Sequence, residues 1–77
     1  MDIKDFIELI ANQFVNTEQS EFKAETRLQE LDEYSSLIAL FIISEVFEKY
    51  RVSLKSTDLM ASDTIQDLFN IVEANKK

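Results

Sequence analysis

The chain has 77 residues and a net charge of −7, from 15 acids against 8 bases. That length suits one domain, near the lower limit for an independent core, and the acidic balance disfavours nucleic acid and anionic membranes while favouring basic protein surfaces. Cys, His, Gly and Pro are all absent, which removes disulfides, thiol catalysis by the chain itself and Cys- or His-ligated metals, and argues against hairpins and phosphate-cradling Gly loops.

Residues 3–15 read as an amphipathic helix. Ile3, Phe6, Ile7, Ile10 and Phe14 share one face at the i, i+3, i+4, i+7, i+11 spacing. Asp2 can cap it and Asp5 suits its first turn. Residues 16–35 form a long polar connection. Phe22, Leu28 and Leu31 are expected to pin it over the helices, with a helical turn near residues 24–30.

Residues 36–50 form the second helix, with Ser35 as its natural N-cap. On a 100° wheel Ala39, Leu40, Ile43, Val46, Phe47 and Tyr50 share the expected buried face, and Glu45, Glu48 and Lys49 mark the solvent face. Ile38 and Phe41 fall among those charges. They are either tucked under a neighbouring loop or exposed as a contact surface.

Residues 51–55 alternate like a short extended piece with Val52 and Leu54 inward. Ser56 or Thr57 starts a short helix through Ala61, and Ser62-Asp63 offers a further cap signal. The last helix is expected over residues 64–73, burying Ile65, Leu68, Phe69, Ile71 and Val72, with Lys76 and Lys77 at its C-terminal end. The expected fold is therefore all-α. It is a small four-helix bundle of three longer helices and one short one, a single domain over residues 1–77, with a long loop between helices 1 and 2. No apolar run approaches a membrane span, and Met1-Asp2-Ile3-Lys4 lacks a signal-peptide pattern, so a cytoplasmic location without membrane insertion is expected.

The chemistry available is narrow. No stretch fits a calcium-binding loop, which needs a Gly at its sharp turn. A Ser nucleophile would need a base, and neither His nor a Gly elbow is present. No metal ligands and no catalytic residues are assigned, and the chain is not expected to be an enzyme. Ser35 and Ser36 remain, at the mouth of the second helix. Their plain role is a cap and its neighbour. A phosphodiester on either hydroxyl would also be favoured there, because unpaired N–H groups and the helix dipole attract an anion.

The segment Leu31-Asp32-Glu33-Tyr34-Ser35-Ser36-Leu37 resembles the acyl carrier proteins, whose signature is Asp-Ser-Leu at the start of the second of four helices. Phe47-Glu48-Lys49-Tyr50-Arg51-Val52-Ser53-Leu54 and Thr64-Ile65-Gln66-Asp67-Leu68 are similar to later passages of that family, in the same order and without gaps. The resemblance covers nearly the whole chain. It implies 4′-phosphopantetheine on Ser36, with Ser35 at the usual Asp position. It also implies a non-catalytic carrier of acyl groups as thioesters, for fatty-acid-like, polyketide-like or other specialised acyl biosynthesis. The implied partners are a phosphopantetheinyl transferase and acyl-loading and acyl-transferring enzymes, docking on Leu37, Ile38, Phe41, Glu45 and Glu48. Ile38 and Phe41 stand where the family normally presents acids, so docking here is less electrostatic. The expected state is a monomer, with a weak dimer through Ile38 and Phe41 as the variant. The alternative is a small acidic helical interaction module without a prosthetic group.

Overall fold

The computed structural model describes residues 2–76. Its helices are α1 (Ile3–Ala11), α2 (Ser36–Tyr50), α3 (Ser56–Ala61) and α4 (Ile65–Asn75), and two single 3₁₀ turns, Gln19–Glu21 and Leu28–Glu30, lie in the first connection. No strand occurs among the described residues. α1 packs on α2 and α4, and α3 packs on α2 and α4, so the four helices surround one core. Among the described residues no helix is long and apolar enough to cross a membrane.

α1 starts as expected, with the Asp2 carboxylate accepting from Lys4 N at 3.0 Å. It ends at Ala11 rather than near Val15. The backbone tightens there, because Gln13 N and Phe14 N donate to the carbonyls three residues back, Ile10 and Ala11. The Gln13 side chain then occupies Leu9 O at 2.9 Å. The next two amides, Val15 N and Asn16 N, are taken by the Glu33 carboxylate at 2.7 and 2.9 Å. A distant side chain thus replaces the hydrogen bonds that another helical turn would have made. Phe6 and Ile10 are fully buried, with Leu9 and Ala11 beside them, while Ile3 and Ile7 are half-buried.

The long connection is held by its own anchors. Phe22 and Leu28 are buried and Leu31 is half-buried. The Phe22 ring lies 4.9 Å from that of Phe14. The expected turn is the 3₁₀ turn Leu28–Glu30. The loop also supplies acceptors to α4, as Ile65 N donates to Thr26 O and Gln66 N to Ala24 O. Those amides belong to the first turn of α4, which has no acceptor within the helix.

α2 corrects the wheel. Its core line is Ile38, Ile42 and Val46, at i, i+4, i+8, with Ala39, Ile43 and Tyr50 half-buried beside it. Leu40 and Phe47, expected inside, are 60% and 43% exposed. Ile38, expected among the charges, is only 7% exposed. The helix carries large apolar residues on two sides, so periodicity alone leaves its phase open and packing against α1 and α3 decides it. It closes on Arg51 in the left-handed conformation, φ 59°, with Arg51 N donating to Phe47 O. Gly usually holds that position, and a side chain there costs on the order of 1 kcal/mol.

Beyond α2, Val52 and Leu54 point inward as their alternation requires. α3 begins at Ser56, where the Asp58 carboxylate accepts from Lys55 N at 2.9 Å. α4 is capped by Thr64, one residue beyond the Ser62-Asp63 signal. Thr64 Oγ1 accepts from Asp67 N, and the Asp67 carboxylate accepts from Thr64 N, which is a reciprocal capping box. Ile65, Leu68 and Val72 are fully buried, while Phe69 and Ile71 are half-buried. Lys76 follows the last turn, and the expectation for Lys77 lies outside the described residues.

Candidate functional site

The two serines at the start of α2 have separate jobs. Ser35 is extended, at φ −153° and ψ 172°, and its Oγ accepts from Ile38 N at 3.3 Å. It is the cap. Ser36 is the first helical residue and is exposed, and among the described residues its hydroxyl has no hydrogen-bond partner. A free hydroxyl therefore stands at the positive end of a fifteen-residue helix.

Ser36 also sits on the rim of a groove of about 290 Å³ between α2 and α3. Tyr34, Ala39, Leu40, Ile43, Leu59 and Met60 supply its apolar wall, and Gln29 and Ser56 its polar edge. The other clefts are of a different kind. One of about 390 Å³ is lined by Asn16, Thr17, Glu21, Leu31, Asp32 and Glu33, so it is mostly polar and acidic. The α2–α3 groove joins largely apolar walls to the exposed Ser36 hydroxyl. Burial raises the Tyr34 phenol above its ordinary range, so it remains neutral beside the groove.

The loop before Ser36 is held by Glu33. Its carboxylate accepts from Val15 N, Asn16 N and Thr17 Oγ1 at 2.7, 2.9 and 2.8 Å. These bonds, led by that from Val15 N, hold the Glu33 carboxyl below the ordinary Glu value. A depressed carboxyl stabilises the fold above its unfolded pKa, and that contribution disappears as pH falls through the lower folded value. The same cleft holds Glu21 and Asp32 and no base. Acidifying below the ordinary Glu range should therefore shift the Val15 and Asn16 amide resonances in the native chain. In Glu33→Gln that acid-driven movement should vanish, and a persisting shift would mean that Glu33 is not its source.

The expected docking residues divide in three. Leu37 and Phe41 are 58% and 44% exposed and do face outward. With Leu40 and Phe47 they form an apolar stripe along α2. Glu45 and Glu48 are exposed on the flank facing α1, where they share a cleft with Glu8, Asn12, Gln13 and Lys49. Ile38, expected on the docking face and in the weak dimer, is only 7% exposed and packs in the core. The sequence reading missed the groove walls contributed by Leu59 and Met60. Its available signal was a short helix with two large apolar residues side by side, of which only one can face the core.

Among the described residues no three His, Cys, Asp or Glu side chains converge as a metal site. No protein-family model, no curated protein and no solved structure matches the chain.

Proposed function

We propose that the chain is a carrier protein that holds 4′-phosphopantetheine on Ser36 and presents an attached acyl group to partner enzymes. The observation that carries this reading is the exposed Ser36 hydroxyl at the α2 N-terminus, on the rim of a groove with largely apolar walls. Three properties of the residues fit the group. The Ser36 side chain is accessible and is not needed as a cap. The helix N-terminus favours the negative charge of a phosphodiester. The apolar walls from Tyr34 to Met60 suit an acyl chain.

The group would supply a terminal thiol, on which acyl groups are carried as thioesters, to a chain that has no Cys. The chain's own residues anchor, orient and shelter. Ser36 Oγ would attack the pantetheine-side phosphorus of coenzyme A, so that the new phosphodiester forms as the pyrophosphate bond breaks, adenosine 3′,5′-bisphosphate leaves, and the serine proton passes to the transferase. Ser35 keeps the helix start fixed during that transfer. Glu33 and Tyr34 hold the preceding loop, and Leu37, Leu40 and Phe41 provide contact area for partners. With Glu45 and Glu48 on one flank, a matching partner surface is apolar with a basic rim. Incubation with coenzyme A and a broad-specificity phosphopantetheinyl transferase should add the mass of one phosphopantetheine. An unchanged mass contradicts the proposal.

The exposed stripe of Leu37, Leu40, Phe41 and Phe47 specifically favours a second reading, a small acidic interaction module without a prosthetic group. That reading requires an unchanged mass together with a stable complex or a dimer, which light scattering reads directly.

A further inference from the structure

One wall of the groove is made by α3, which has only six residues. A helix so short is not stable alone, and within the segment its last carbonyls are met only by Ser62, whose Oγ and N–H reach Asp58 O and Leu59 O. A further partner comes from the long loop. Gln29 Nε2 lies 3.0 Å from Leu59 O, 3.2 Å from Met60 O and 3.3 Å from Ser62 O. A side-chain amide has two hydrogens, so three carbonyls share two donors. Gln29 is in effect a C-terminal cap for α3 delivered by another element. It also lines the groove.

The placement of Gln29 is rigid for a reason visible in its neighbour. Leu28 is 3% exposed and anchors the 3₁₀ turn to the core. The other polar restraints at this end, Ser62 Oγ to Asp58 O at 2.8 Å and Ser62 N to Leu59 O at 3.2 Å, are internal to the α3 segment and cannot hold it against the bundle. Leu59 holds α3 by burial, whereas Met60, 73% exposed, stands free on the groove side.

We propose that Gln29 is a latch that fixes α3 against the groove and thereby sets which apolar groups the groove admits. This rests on reading the groove as the place where the carried group lies. Gln29 is a positioning residue, since it acts through the α3 backbone. Gln29→Ala removes the donors and releases the α3 terminus. Gln29→Glu goes further, because a carboxylate facing three carbonyls is repelled.

The test uses the unmodified full chain. Amide hydrogen exchange at residues 59–62 should accelerate about tenfold in Gln29→Ala, the size of one lost hydrogen bond, and at least as much in Gln29→Glu. Amides of α1 and α4 should keep their rates. Nile red should bind Gln29→Ala more tightly than the native chain, the outer stripe of α2 being the same in both. Unchanged exchange at residues 59–62 overturns the latch. Acceleration spread equally over α1 and α4 overturns it too, as Gln29 would then merely hold the fold. Faster local exchange with unchanged dye binding overturns its control of the groove. None of these readouts needs a modified Ser36, so a failure of phosphopantetheine loading would remove the carrier reading and leave the latch in place.

Discussion

Ser36→Ala should abolish phosphopantetheine loading and leave the fold unchanged. The side chain is exposed and caps nothing, and Ala is the best helix former, so the stability change should stay within about 0.5 kcal/mol. The neighbouring variant should behave in the opposite way. Ser35→Ala loses the acceptor for Ile38 N and costs about 1 kcal/mol, yet it keeps the anchor hydroxyl and should still load. Intact mass and thermal melting on the two variants separate the roles. Loading retained in Ser36→Ala would move the anchor to Ser35.

Phe6→Ala should have the largest effect on stability. Phe6 is fully buried in α1, and its ring meets Phe69 at 5.5 Å edge-on and Tyr50 at 6.2 Å, so one side chain joins α1, α2 and α4. Truncating a buried Phe costs about 3–5 kcal/mol, from lost transfer energy and the cavity left behind. A domain of this length has a total stability of roughly 4–12 kcal/mol. The variant should therefore lose at least about a quarter of that stability, and at the lower end of the range all of it. Urea unfolding followed by circular dichroism checks this. A loss below about 1 kcal/mol would mean that the three helices do not meet at Phe6.

The sequence made the helices legible where caps and periodicity agreed. Asp2 and Ser35 are local cap signals that do start α1 and α2, whereas the Ser62-Asp63 signal falls one residue short of Thr64, which caps α4. The anchors Phe22 and Leu28 were legible because large apolar groups in a polar stretch have few places to go. The end of α1 was not legible, because the group that stops it, Glu33, is far along the chain. The phase of α2 was hidden for another reason. Leu37, Leu40, Phe41 and Phe47 give it a second apolar stripe as strong as the buried one of Ile38, Ile42 and Val46. Only the packing of other helices chooses between them. At the candidate site the division is similar. The Ser35 cap and Ser36 beside it could be read locally. The groove depends on bringing Leu59 and Met60 opposite Ala39 and Ile43, which no short-range pattern encodes.

That second stripe also bears on function. A small domain gains nothing in stability from exposed Leu and Phe, and singly scattered apolar residues need no account, but a line of four along one helix beside Ser36 does. A carrier must be held briefly by each partner and then released. Four half-exposed side chains with a few acids offer less area than a stable interface of about 1,200–2,000 Å² requires, which suits short-lived contacts.

The central claim is that Ser36 is the anchor. The most direct measurement is a fragmentation mass spectrum of the chain after incubation with coenzyme A and a broad-specificity transferase. The added phosphopantetheine mass should map to Ser36 and to no other residue. An unmodified chain, or the added mass on Ser35, would contradict it.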